Sequence, residues 1–132
     1  MMENANGNNQ GFQVGDLVGA AVRSGQYAGE LVEINGPRAV LKVLAVLKHP
    51  EQGDMHHPYD PDVPMFHERR ALSYTEKTTV LLRDVRRFAG AVPDYKESLQ
   101  KAVADEIAAL DKLRRWAAQG IEQLEQLRRE YK

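Results

Sequence analysis

The sequence predicts a mainly β fold with an α-helical C-terminal part: a small barrel over residues 12–90, carrying one long loop at 49–68, then helices over 91–132. Three observations point there. Short apolar runs with strand-like character, separated by tight-turn residues, fill residues 12–48 and 70–85. The apolar period changes to 3.6 after Val92-Pro93. Between the two strand-rich stretches, all four histidines and four of the six prolines crowd into one segment without a regular period.

Residues 1–11, rich in Asn and Gly and lacking apolar periodicity, are expected to be a disordered tail. From Phe12 the texture changes. Val14, Leu17-Val18 and Ala20 to Val22, around Gly15-Asp16, mark the entry to a first strand. Tyr27 to Ile34 supplies a second, closed by the turn dipeptide Asn35-Gly36. The run Arg38 to Lys48 mixes alternation with continuous apolar character, as expected of a long bent strand shared between two sheets. Strand character resumes at Arg70 to Thr75 and at Thr78 to Val85. Five short strands with tight turns predict a barrel closed on itself, of SH3-like type. Asp94 with Glu97 then forms an acidic capping box beside Pro93. Tyr95, Leu99, Val103, Ile107, Leu110, Leu113, Trp116, Ile121, Leu124, Leu127 and Tyr131 recur on one face. That stripe is long for one globular helix, so a break is expected near Asp111 or at Gly120. It must be buried against the barrel, its own second half or a second chain, and a homodimer is one such solution.

Composition narrows the function. The net charge is −1, with ten basic and eleven acidic residues over 1–90 and eight of each over 91–132, so no nucleic-acid or anionic-lipid surface is expected. The cluster Arg83, Arg86 and Arg87 around Asp84 reads as a solvated strand end. Without cysteine there is no disulfide, thiolate nucleophile, Cys-ligated zinc or S-acylation. No run approaches the ~18 apolar residues of a membrane span, and the polar N-terminus lacks signal-peptide character, so the expected location is the cytoplasm.

Beyond a purely structural role, in which His, Tyr and Asp beside proline fix an irregular loop through local side-chain-to-backbone bonds, the histidine- and proline-rich segment invites two readings. His56, His57, His67 and Asp54, with Asp60 and Asp62 nearby, form an imidazole-carboxylate set suited to zinc or iron(II). Adjacent residues on an extended chain point to opposite sides, however, so His56 and His57 rarely bind one ion together. The zincin pattern also fails, with Ala71 where a second histidine should follow His67-Glu68. None of Ser24, Ser73 and Ser98 sits in a nucleophile elbow, so no catalytic residue and no cofactor are expected. The other reading is a stiff recognition loop, since a pre-ordered loop loses little entropy on binding. Tyr59, Met65, Phe66, Arg69 and Arg70 are residue types enriched at interfaces, and His67 and Glu68 lie among them.

At this loop the chain resembles the kinase-associated protein B (KapB) family. The likeness rests on Gly53-Asp54-Met55-His56-His57-Pro58 and on Asp62-Val63-Pro64-Met65-Phe66-His67-Glu68-Arg69-Arg70-Ala71-Leu72-Ser73-Tyr74. It continues in Val92-Pro93-Asp94-Tyr95-Lys96-Glu97-Ser98-Leu99 and spans about Val14 to Lys132. The resemblance implies an SH3-like barrel followed by helices. It also implies a non-enzymatic accessory role beside a membrane-bound sensor histidine kinase, KinB-like, that feeds the sporulation phosphorelay. Family members described as lipoproteins differ from this chain, which has no cysteine to receive a lipid; membrane association here would run through a partner.

Overall fold

The computed structural model describes residues 11–131. The tail expected at 1–11 therefore lies, Gly11 apart, outside the described residues. Strands β1 (Leu17–Val22), β2 (Gly25–Asn35), β3 (Arg38–Lys48), β4 (Lys77–Leu81) and β5 (Val85–Arg87) are followed by one helix, α1 (Tyr95–Glu130). The strands form a single antiparallel sheet in the order β4-β3-β2-β1-β5.

The first hairpins follow local chemistry. A two-residue turn at Arg23-Ser24 joins β1 to β2, with Val22 opposite Gly25. Gly36, at φ +60°, takes the left-handed turn position between Asn35 and Arg38. The long third strand bends as expected, but within one sheet rather than between two. Register shifts near Gln26/Tyr27, Ala28/Gly29 and Leu31/Glu33 supply the curvature. Its alternation places Ala39, Leu41 and Val43 inside with Val18, Tyr27, Leu31, Val80 and Leu82.

Two strand expectations are corrected. Residues 70–75 form no strand: Thr75 adopts φ +66°, and only its N–H to Val43 O, at 2.7 Å, and Val43 N–H to Glu76 O, at 2.9 Å, tie this stretch to β3. The expected strand Thr78 to Val85 is split by a 3-10 turn at Leu82–Asp84. Leu82 is fully buried and gives its N–H to Pro37 O at 2.9 Å, so the chain leaves the β3 edge there and returns to pair with β1. The strand ladder does not close: β4 and β5 are its two edges, where a closed barrel was expected.

The helix also differs from expectation, running unbroken through Asp111 and Gly120. Arg114 and Arg115 both hold the Asp111 carboxylate within the helix, the latter at 2.9 Å, and together they keep that carboxyl below its usual range. A lone glycine costs about 1 kcal/mol relative to alanine, too little to end a helix of this length. At the N-terminus, Asp94 accepts the Glu97 N–H at 3.1 Å. The first turns then dock on β3. Ser98 Oγ accepts the Val46 N–H at 2.9 Å in a buried bond, Ala102 enters the core, and Tyr95 and Leu99 pack beside it. Glu106 meets Lys48 at 3.7 Å, at the edge of that contact. Among the described residues no helix is long and apolar enough to cross a membrane.

Candidate functional site

Between β3 and β4 the chain runs for 28 residues, 49–76, without a regular element. Such a length needs its backbone groups satisfied locally, and the loop does this by tying its two arms together at the base. Gly53 N–H donates to His67 O at 2.9 Å. The Gln52 amide mimics a neighbouring strand: its Oε1 accepts the Arg69 N–H at 2.8 Å and its Nε2 donates to Arg69 O at 2.9 Å. The Arg69 guanidinium crosses back to the carbonyls of Glu51, at 3.3 Å, and Gly53. Glu51 N–H is received by Ser24 Oγ at 2.9 Å, which anchors the arm to the β1–β2 turn. Gly53, buried and at φ +100°, lies under the Phe66 ring, where an added Cβ would come within 2.9 Å of Cε2.

The tip is built from short-range turns. Asp54 Oδ1 accepts the His56 N–H at 2.9 Å, and its Oδ2 lies 3.2 Å from His57 Nδ1. The His56 N–H and then the His57 ring lower the Asp54 carboxyl below the usual range. Asp60 Oδ1 accepts the Asp62 N–H at 2.9 Å, and Tyr59, just before this turn, stands at φ +66°. These carboxylates act as turn formers. Among the described residues no group of three or more His, Asp and Glu side chains converges as a metal site, so Asp54, His56, His57 and His67 are not gathered around one point.

The residues singled out as a recognition surface divide in two. Tyr59, Met65 and Phe66 are 79%, 61% and 61% exposed and present apolar surface to solvent. His67 and Glu68 are also exposed, and Arg70, 88% exposed in its side chain, meets Glu68 at 3.5 Å. Arg69 belongs to the loop's own frame instead, being partly buried with its guanidinium on backbone carbonyls. Adjacent arginines in an extended segment point to opposite sides, which the sequence does not rank. Beneath the base lies a cavity of about 290 Å³ bordered by Arg23, Ser24, Tyr27, Pro50, Arg69 and Leu72.

Sequence reasoning missed the groups that seat the loop's exit on the core. Leu72, outside any strand, has its N–H received by the Tyr27 hydroxyl at 3.2 Å and its carbonyl bonded by the Tyr95 hydroxyl at 2.6 Å. Two phenols, from β2 and α1, thus take the place of a strand neighbour. Nothing in the spacing of Tyr27, Leu72 and Tyr95 signals this, because the three meet only after the sheet and helix pack. Burial, above all, raises both phenols above their ordinary value. A raised folded-state value favours the neutral form, so this contribution is complete below about pH 10 and is lost as pH rises through the higher folded values. Tyr27→Phe, which leaves the Leu72 N–H without its acceptor, should lower unfolding free energy at neutral pH by about 1–2 kcal/mol. Urea titrations at pH 7 and above pH 10 should show the difference between the two chains narrowing in alkali.

The basic cluster is not a surface of three aligned cations. Arg87 lies 3.3 Å from Asp16 and its guanidinium stands 4.6 Å above the Phe12 ring, while Arg83 is 3.9 Å from Asp84.

Comparison with known proteins agrees with the resemblance read in the loop. Residues 22–132 match the family described as kinase associated protein B. The kinase-associated lipoprotein B of Bacillus subtilis strain 168 is 42% identical over 121 residues, covering 91% of this chain and 94% of that protein. The crystal structure of kinase-associated protein B from Bacillus cereus superposes with a TM-score of 0.63 at 34% identity, over 76% of this chain and 78% of that one. With most of its length matched, and the loop and helix start inside the match, the chain belongs to the kinase-associated protein B family.

Proposed function

We propose that this chain is a non-catalytic accessory protein that binds a kinase through the loop at 49–76. The partner is a sensor histidine kinase, KinB-like, at the head of a sporulation phosphorelay. The observation that carries this reading is the loop's construction: a base closed by Gln52 and Arg69 holds Tyr59, Met65 and Phe66 exposed on a pre-ordered frame. A frame ordered in advance loses less entropy on binding, and exposed aromatic and methionine side chains are what a protein partner desolvates. The kinase-associated names of the relatives support the partner's class. The sheet order, with β5 returned to β1 after one 3-10 turn, supports an SH3-like description of a barrel left open between β4 and β5. The protein acts at the cytoplasmic face of the membrane, held there by its partner.

The test is recovery of the kinase cytoplasmic region by this chain and by a Tyr59→Ala, Met65→Ala, Arg70→Ala variant, which leaves the Arg69 frame untouched. Recovery should fall about tenfold or more, as expected when exposed interface anchors are truncated. Equal recovery with a folded variant would remove the loop tip from the interface.

A further inference from the structure

The sheet covers only the first part of the apolar stripe on α1. Beyond Glu106 the stripe continues on the same side of the helix with nothing against it. Ile107, Leu110, Leu113, Trp116, Ile121, Leu124, Leu127 and Tyr131 are between 36% and 73% exposed. Most helical stability in proteins comes from packing of an amphipathic face, and a contiguous apolar stripe left open to water marks an interaction surface.

The stripe is complementary to itself when read backwards. About the midpoint between Ala118 and Gln119, Leu110 mirrors Leu127, Leu113 mirrors Leu124, and Ala117 mirrors Gly120. In an antiparallel two-fold interface residue i meets j and j meets i, so this pattern sets apolar or small seam residues against one another in every layer. The same midpoint bisects the uncovered stretch, 107–130, which spans about 36 Å at 1.5 Å per residue. From these two coincidences we propose that α1 pairs antiparallel with α1 of a second copy of this chain, centred between Ala118 and Gln119.

The small residues Ala117 and Gly120 fall at the centre, where they let the two backbones approach. Heptad geometry places Arg114 beside the partner's Ile121 and Arg128 beside the partner's Ile107. Arginine stems can cover these isoleucines while their charges reach water, and no like charges face across that flank. Antiparallel pairing also opposes the helix dipoles. A parallel pair is excluded sterically: Tyr95, Ser98, Leu99 and Ala102 already use the seam side against the sheet, and two sheets would compete for that space. Reversed, the partner's Tyr131 reaches only the level of Glu106, where the sheet contact ends. Eight half-exposed large apolar side chains hide on the order of 800 Å² per copy, the size of a standard stable interface.

Sedimentation equilibrium should give twice the 14.9 kDa of one chain across the micromolar range. Leu113→Glu with Leu124→Glu should weaken association about 100-fold or more, whereas Glu122→Lys, on the opposite face, should not. Near-ultraviolet circular dichroism would confirm that the sheet core persists in each variant. The absence of native cysteine makes orientation directly readable. On mild oxidation, a mixture of Leu110→Cys and Leu127→Cys chains should form the mixed disulfide, while Leu110→Cys alone should not, its two copies lying about 25 Å apart along the axis. A monomeric wild-type chain would overturn the proposal, and efficient crosslinking of Leu110→Cys to itself would overturn the antiparallel pairing.

Discussion

Gly29→Ala should destabilise the protein by about 3 kcal/mol or more, which lowers Tm by roughly 10 °C for a domain of this size. Gly29 sits in β2, paired with Val18 on one side and Val43 on the other, next to a register shift. The shift brings the β3 backbone so close that a Cβ on Gly29 would overlap the Lys42 carbonyl and lie 2.9 Å from Leu41 Cδ1. A flexible side chain can swing away from such a contact; a carbonyl in the middle of the longest hairpin cannot. Gly36→Ala is the control. Its Cβ would meet nothing within 4 Å, and only the left-handed φ is disfavoured, at a cost of about 1 kcal/mol. Thermal unfolding of both variants checks the ordering, and a Gly29→Ala protein as stable as Gly36→Ala would mean the bulge relaxes.

Arg69→Ala should loosen the loop without unfolding the sheet. The guanidinium makes charge-assisted bonds to the carbonyls of Glu51 and Gly53, and the Gln52 amide holds the Arg69 backbone from the facing arm. Removing the side chain leaves two carbonyls dependent on water and frees the arms from one another, at about 2 kcal/mol after allowance for partial exposure. The Gly53 amide, which bonds His67 O, should then exchange with solvent about 30-fold faster, while amides in β2 and β3 keep their protection. Arg69→Lys should not restore it, because an ammonium lacks the planar fork that reaches both carbonyls. If the kinase reads a pre-ordered loop, Arg69→Ala should also weaken kinase recovery with Tyr59, Met65 and Phe66 intact. Arg70→Ala should leave exchange unchanged, since that side chain points to solvent.

The sequence was most legible where local rules dominate. Asn35-Gly36 specifies its turn, Asp94 its helix start, and the 3.6 period the helix face. The long His/Pro loop was visible for the same reason, because prolines remove donors and restrict their predecessors. Its exit was not. Arg70 to Thr75 has strand-like composition, yet its backbone is received by Tyr27 and Tyr95 rather than by a continuous ladder. Likewise Thr78 to Val85 reads as one strand until Leu82 is drawn into the core.

By itself the sequence determined the first three strands, the start of the helix, the family and the existence of a long irregular loop, since these follow from short-range backbone preferences and long irregular motifs. Only the tertiary structure decided which arginine frames the loop and which faces water, and where sheet coverage of the helix stripe ends. Those are outcomes of contacts between residues distant in the chain. Gln52 meets Arg69, and Ser98 meets Val46, only when strands and helix have packed, and no periodicity encodes such a meeting.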